Sequence, residues 1–232
     1  MEHAESKNFT YSAAIAAERA EFIRKTYLNL AVALAVFAGL EAFLLSWQPA
    51  VALAARMVEG NNWLLVLLAL MGISWIANSW AANRSSLGTQ YAGLYLYVIA
   101  EAVVFLPLLL LAKAIAPQAI PQAAILTGAL AAGLMFYVFI SGKDFHFLRP
   151  ILTIGFFVSI GLIVCAILFG LQLGLWFSGA MIVFASIAVI YQTGAIMRDY
   201  DNSQYVSAAL GLFAAIALMF WYILQFILMS RR

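Results

Sequence analysis

Two acidic side chains, Glu41 and Glu101, interrupt otherwise apolar runs of this chain, and their positions could support chemistry. Glu101 lies near the middle of residues 93–112, a run with no other charge. A helix of about 20 apolar residues spans the roughly 30 Å hydrocarbon core of a bilayer. An acid at mid-depth costs about 2.5–3.5 kcal/mol on insertion scales, so a facing polar group, a wet cavity or a bound proton must offset that cost. Glu101 is therefore a candidate for an ion or proton pathway, with a protonated acid bonded to a neighbouring helix as the alternative.

Glu41 lies about four residues past the centre of the first apolar run, which should cross in the same direction as the run of Glu101. The two acids should then differ in depth by about 6–7 Å. Two carboxylates facing one cavity would repel each other, and their oxygens would suit a hard cation. For Glu41 we favour the alternative, a side chain that reaches the outer interface beside Trp47. The candidate polar partners of Glu101 are Asn78, Ser79, Thr153 and Ser159.

The composition indicates an integral membrane protein. Of the 232 residues, 66% are hydrophobic and only 9% are charged, whereas soluble domains carry about 25% charged residues. The net charge of +2 gives no argument for a nucleic-acid partner. The single cysteine, Cys165, excludes an intrachain disulfide.

Seven apolar runs have about the length needed to span a membrane, and they predict seven helices because lipid cannot satisfy backbone polar groups. The runs are residues 28–47, 63–82, 93–112, 120–140, 151–169, 173–191 and 206–230. The last run is expected to cross the membrane, although a run that dips in and returns would give a stronger charge asymmetry. The predicted fold class is an all-α membrane protein, a seven-transmembrane-helix bundle.

The chain divides into a polar amino-terminal tail, residues 1–27, and a transmembrane domain, residues 28–232. Ser12 is a candidate cap for an interfacial helix over residues 13–25, and a solvated tail is the alternative. Eight Lys and Arg residues fall on the side of the tail and four on the other side. The amino terminus is therefore expected to be cytoplasmic.

Other polar motifs give no catalytic or metal site. Asp199, Asp201 and Asn202 lack the glycine and the glutamate of a calcium-binding loop, so we expect a solvated turn there. His146 has no second histidine or cysteine near it in the sequence, which argues against metal binding. Without a nucleophile–base pair or a phosphate-binding loop, we expect neither an enzyme nor a cofactor.

Three segments carry a resemblance to a known family. They are FIRKTYLNLAVAL at residues 22–34, GKDFHFL at residues 142–148, and IAVIYQTGAIMRDYDNSQY at residues 187–205. In their order and spacing the chain resembles the Bax inhibitor-1 family, specifically its bacterial YccA-like branch. The resemblance implies a bundle in which the last helix is central, and a bacterial inner-membrane location.

The resemblance also implies two functions. The YccA-like branch is associated with binding and modulating the membrane-bound protease FtsH, which predicts a regulatory or interaction protein. Other family members are associated with a pH-sensitive calcium leak, so a calcium or proton leak that uses an intramembrane glutamate is the alternative.

The leak in the family depends on a pair of aspartates that joins the last two helices. In this chain the corresponding positions are Gln192, within Tyr191-Gln192-Thr193, and Ala215 or a residue next to it. Because a glutamine and an alanine cannot share a proton, the aspartate device does not transfer to this chain. We therefore favour the regulatory function over the leak.

Overall fold

The computed structural model describes residues 2–83 and 86–231, with side chains from residue 16 onward. These ranges form eight helices. They are α1 (Glu2–Leu44), α2 (Gln48–Met57), α3 (Asn62–Ala81), α4 (Leu87–Ile115), α5 (Ala119–Ser141), α6 (Leu148–Phe169), α7 (Gly174–Arg198) and α8 (Tyr205–Ser230). All but α2 contain a segment long and apolar enough to cross a membrane. The prediction of an all-α membrane protein with seven spanning helices is confirmed.

Helix α1 is longer than the first apolar run. It begins at Glu2 and continues without a break through residues 13–25 to Leu44. Ser12 therefore lies inside a helix and not at its start. Below, the side of the membrane where α1 begins is called the amino-terminal side, and the other side is called the opposite side.

Helix α2 was not predicted. Its ten residues follow Trp47 and start with a proline in the first turn, a position where proline needs no backbone N–H. One face of α2 buries Ala50, Ala54 and Met57, and Leu53 on another face is exposed. This amphipathic pattern lets α2 cover the ends of its neighbours on the opposite side of the membrane.

Helix ends and close contacts follow local sequence. Gly142 and Gly170 end α5 and α6 in the left-handed conformation, with φ of 58° and 66°, which glycine adopts without steric cost. Gly93 lets α3 and α4 approach closely, since a Cβ atom there would lie 2.5 Å from the backbone oxygen of Ala77. The close contact is an example of the small-residue packing that membrane helices use.

Helix α8 carries much of the core. It packs against α1, α3, α4, α5 and α7, and its buried side chains include Leu212, Phe213 and Met219. Helix α6 lies at the edge and packs mainly on α7. That α8 is surrounded by all six other spans stays a prediction.

The last helix crosses the whole bundle. Directly after α8, Arg231 Nη2 donates a hydrogen bond of 2.8 Å to Gln122 Oε1 near the start of α5. Because α5 starts on the opposite side of the membrane, the seventh run crosses and does not return.

Candidate functional site

Glu101 lies on a buried face of α4 and is 8% exposed. The Tyr97 hydroxyl, one turn earlier on α4, interacts with the Glu101 carboxyl group, and the Ser74 hydroxyl of α3 interacts with Tyr97. The contact of Gly93 with α3 holds the two helices close enough for this arrangement. The polar neighbours of Glu101 therefore come from its own helix and from α3.

The four candidate partners of Glu101 form hydrogen bonds elsewhere or are exposed. Asn78 is exposed on α3, and its Nδ2 donates to the backbone oxygen of Ser74 at 2.7 Å. Thr153 likewise donates to a carbonyl of its own helix, and Ser159 donates to the sulfur of Met181. Ser79 is exposed. A polar side chain on a helix can donate a hydrogen bond to the backbone carbonyl four residues earlier, as Asn78 and Thr153 do, and then needs no partner on another helix.

Glu41 is buried to an unexpected degree. It is 5% exposed, and both carboxylate oxygens are enclosed without a hydrogen-bond partner among the described residues. The favoured alternative, a side chain reaching the interface beside Trp47, is wrong. Trp47 instead stacks on Phe43, with ring centroids 5.9 Å apart.

The depth of the two acids can be compared through the aromatic rings between them. Phe37 of α1 contacts both Phe105 of α4 and Phe213 of α8, and Phe213 contacts Tyr97. Phe37 is therefore level with the α4 turn that holds Glu101. Glu41 lies one turn further along α1, so it is about 6 Å closer to the opposite side.

The acids nevertheless do not form a joint site. Both carboxylate oxygens of Glu41 lack a hydrogen-bond partner among the described residues, whereas Glu101 interacts with Tyr97. Aromatic rings occupy the space at the level of Phe37, where T-shaped contacts fill the centre of the bundle. Glu41 and Glu101 are therefore two separate buried acids.

Gln192 of α7 and Ala215 of α8, the positions that the resemblance matches to the aspartate pair, lie on two helices that pack together. Gln192 packs against Gly211, where a Cβ atom would lie 2.9 Å from Gln192 Oε1. Ala215 is buried one helical turn after Gly211. The Tyr200 hydroxyl lies 3.5 Å from Gln192 Oε1, and burial raises the pKa of Tyr200 above its usual value, so the hydroxyl keeps its proton.

A cavity of about 300 Å³ opens beside Gln192 at the amino-terminal side of the bundle. It is lined by Tyr191, Gln192, Ala195, Asp199, Tyr200 and Gln204. The two glutamines and the two tyrosines offer hydrogen-bonding groups, and Asp199 offers the one carboxylate. The cavity connects the first aspartate position to the amino-terminal side.

Arg19 of α1 binds the end of α7. Its Nη2 donates to the backbone oxygen of Ile196 and its Nη1 to that of Tyr200, both at 2.6 Å, and Nη1 lies 3.3 Å from Asn202 Oδ1. The last carbonyls of a helix lack intrahelical partners and favour a cation. This contact was not predicted from the sequence, because Arg19 and its partners are more than 170 residues apart. The one available signal was an arginine within an apolar helical face.

The connection between α5 and α6 packs on the same end of α7. His146 Nε2 lies 2.9 Å from Asp199 Oδ1, and Arg198 donates to the backbone oxygen of Gly142. Phe145 packs on Gly194. The turn at Asp199 is exposed, as expected, and it also forms a junction in which His146 is paired with Asp199 through the fold.

Among residues 2–83 and 86–231, the His, Cys, Asp and Glu side chains form no group of three that could hold a metal ion. The fold and these sites define a multi-pass helical membrane protein with two buried acids and a packed junction at one end of α7.

The family follows from comparison with known proteins. The model of the family "Inhibitor of apoptosis-promoting Bax1" matches residues 19–232, so the chain belongs to the Bax inhibitor-1 family. It is also similar to "Uncharacterized protein PA2604" of Pseudomonas aeruginosa, with 28% identity over 231 residues, which cover 95% of this chain and 96% of that protein.

Proposed function

We propose that this protein is a regulatory membrane protein that binds a membrane-bound protease such as FtsH through the amino-terminal arm, defined as residues 2–15 of α1. The proposal includes a location in the bacterial inner membrane with the amino terminus in the cytoplasm, as the Lys and Arg asymmetry favours.

The length of α1 is the observation that carries the proposal. The helix has 43 residues, whereas its apolar run begins only at residue 28. At 1.5 Å per residue the helix is about 64 Å long, roughly twice the hydrocarbon thickness of a bilayer. The arm precedes the apolar run and adds about 21 Å of helix on the amino-terminal side, which gives a partner a continuous surface outside the membrane.

The base of the arm is fixed to the bundle. Arg19 lies one turn after the arm and joins α1 to Ile196 and Tyr200 at the end of α7. A partner bound to the arm would thus act on a helix whose base is held by hydrogen bonds. The resemblance to the YccA-like branch supplies FtsH as the first protease to test.

Co-purification tests the proposal. Full-length protein and a variant lacking the arm, residues 2–15, are expressed with FtsH and recovered through a tag at the carboxyl terminus. We expect the deletion to reduce FtsH recovery severalfold while the bundle elutes as folded protein, because Arg19 and all seven spans remain. Equal recovery would place the interface on the helices and contradict docking through the arm.

A calcium or proton leak is the second candidate function. It is favoured by the buried Glu101 with its Tyr97 and Ser74 neighbours, and by the cavity that reaches Gln192. In liposomes, Glu101→Gln should then alter calcium or proton flux more than Gln192→Ala does. Equal flux in wild type and Glu101→Gln protein would contradict a leak through this acid.

A further inference from the structure

Glu41 is a buried acid that neither proposed function uses. Both carboxylate oxygens are enclosed, and the described part of the chain gives them no hydrogen-bond partner. An isolated carboxylate in an apolar surrounding is far more costly than a neutral carboxylic acid. The enclosed geometry therefore requires a proton on Glu41.

We propose that Glu41 is a proton-binding site and that α2 is the cover through which its proton exchanges with water on the opposite side of the membrane. The ligand is the proton itself. The site is distinct from Glu101. The aromatic contacts of Phe37 lie at the depth of Glu101, and Glu41 lies one helical turn closer to the opposite side of the membrane.

The position of α2 supports its part in the proposal. Glu41 lies one turn before the end of α1 at Leu44, and α2 begins four residues after that end. The buried alanines of α2, Ala50 and Ala54, pack on Leu106 together with neighbouring leucines of α1 and α4. Alanine contacts bury little area, so α2 can separate from Leu106 at a lower cost than a helix held by large side chains.

Among the described residues, no charged side chain of the neighbouring helices is bonded to Glu41 in place of a proton. Helix α1 packs against α2, α4 and α8, and no described group of these helices forms a hydrogen bond with the enclosed Glu41 oxygens. The charged and titratable groups of those elements in this half of the bundle are Arg56, Tyr97, Glu101, Lys113, Tyr222 and Arg231.

Carbodiimide labelling tests the proton site. A carboxylic acid gives its proton to one carbodiimide nitrogen while its oxygen bonds to the central carbon, and the acyl group then moves from oxygen to nitrogen to leave a stable N-acylurea. Nothing leaves, so the adduct contains both reactants. The reaction needs the protonated acid, and the lipid-soluble dicyclohexylcarbodiimide can reach it from the membrane.

Purified full-length protein in detergent is treated with dicyclohexylcarbodiimide, digested and analysed by mass spectrometry. We expect an adduct on Glu41 in wild type and in Glu101→Gln protein, and no adduct at that position in Glu41→Gln protein. Wild-type protein without an adduct on Glu41, under conditions that label a known lipid-buried acid in another protein, would overturn the proton site.

A water-soluble carbodiimide tests the cover. In wild type it should label the exposed Glu59 and leave Glu41 almost unlabelled. The Ala54→Leu change adds bulk at a position that is 1% exposed and should lift α2, raising the labelling rate of Glu41 severalfold. Leu53→Ala, on the exposed face of α2, is the matched control and should leave the rate unchanged. A Glu41 rate in Ala54→Leu protein equal to that of wild type would overturn the role of α2.

Discussion

Replacing Gly93 by alanine should weaken the α3–α4 contact that holds Ser74 beside Tyr97. The added Cβ atom would lie 2.5 Å from the backbone oxygen of Ala77 and 2.6 Å from the backbone nitrogen of Ala81. Backbone atoms cannot move by a change of rotamer, so the two helices must separate by about 1 Å to reach ordinary van der Waals contact.

The magnitude follows from two opposing effects. Overpacking of this kind typically costs about 1–3 kcal/mol, and alanine is about 0.8–1 kcal/mol better than glycine inside a helix. The net destabilisation of Gly93→Ala should therefore be about 0–2 kcal/mol. Gly133→Ala is the matched control, because a Cβ atom there meets nothing within 4 Å. That variant should be unchanged or stabilised by up to about 1 kcal/mol.

Denaturation in mixed detergent micelles, followed by tryptophan fluorescence, measures both variants against wild type. Trp80 lies at the contact itself, since its Cβ atom is 3.0 Å from the added methyl group. A Gly93→Ala protein as stable as the Gly133→Ala protein would refute the close approach of α3 and α4.

Three further predictions concern the contacts of α7. Arg19→Ala should destabilise the folded state by about 2 kcal/mol in the same assay, because charge-assisted hydrogen bonds contribute about 1.5–3 kcal/mol and water replaces part of the loss; Arg24→Ala is the control, and equal stability of the two variants would contradict the Arg19 contact. His146→Ala should increase proteolytic cleavage between residues 141 and 148, since it removes the 2.9 Å contact with Asp199 that holds this connection on α7; cleavage at the wild-type rate would argue against that restraint. Gly211→Ala should be less favourable in wild type than in a Gln192→Ala background, because the added Cβ atom would lie 2.9 Å from Gln192 Oε1 and the glutamine side chain must move to admit it; a double-mutant cycle with no coupling between the two positions would disprove their contact.

The spanning helices were predictable because hydrocarbon imposes length and hydrophobicity on any segment that crosses it. Helix α2 was not, since its ten residues are too short to span a membrane and hydropathy does not identify so short a segment. The extension of α1 to Glu2 was also missed. The polar residues of that segment give no hydrophobic pattern from which a continuous helix could be predicted.

The candidate site was predictable only in its residues and not in its partners. Glu41 and Glu101 were identified because an acid in an apolar run is rare. Their surroundings depend on helix rotation, which the sequence does not encode locally, so the exposure of Asn78 on α3 was not predictable. Arg19 and the pair His146–Asp199 were missed because contacts between distant segments appear only when the helices are packed.

Site-specific crosslinking tests the central claim most directly. A photoreactive amino acid is placed in the arm at position 8, and for comparison at position 154 on the exposed face of α6. In cells that express FtsH, we expect irradiation to give a crosslinked product with the protease from position 8 and none from position 154. A product from position 154 alone would contradict docking through the arm, and the absence of any product from position 8 in folded protein would do the same.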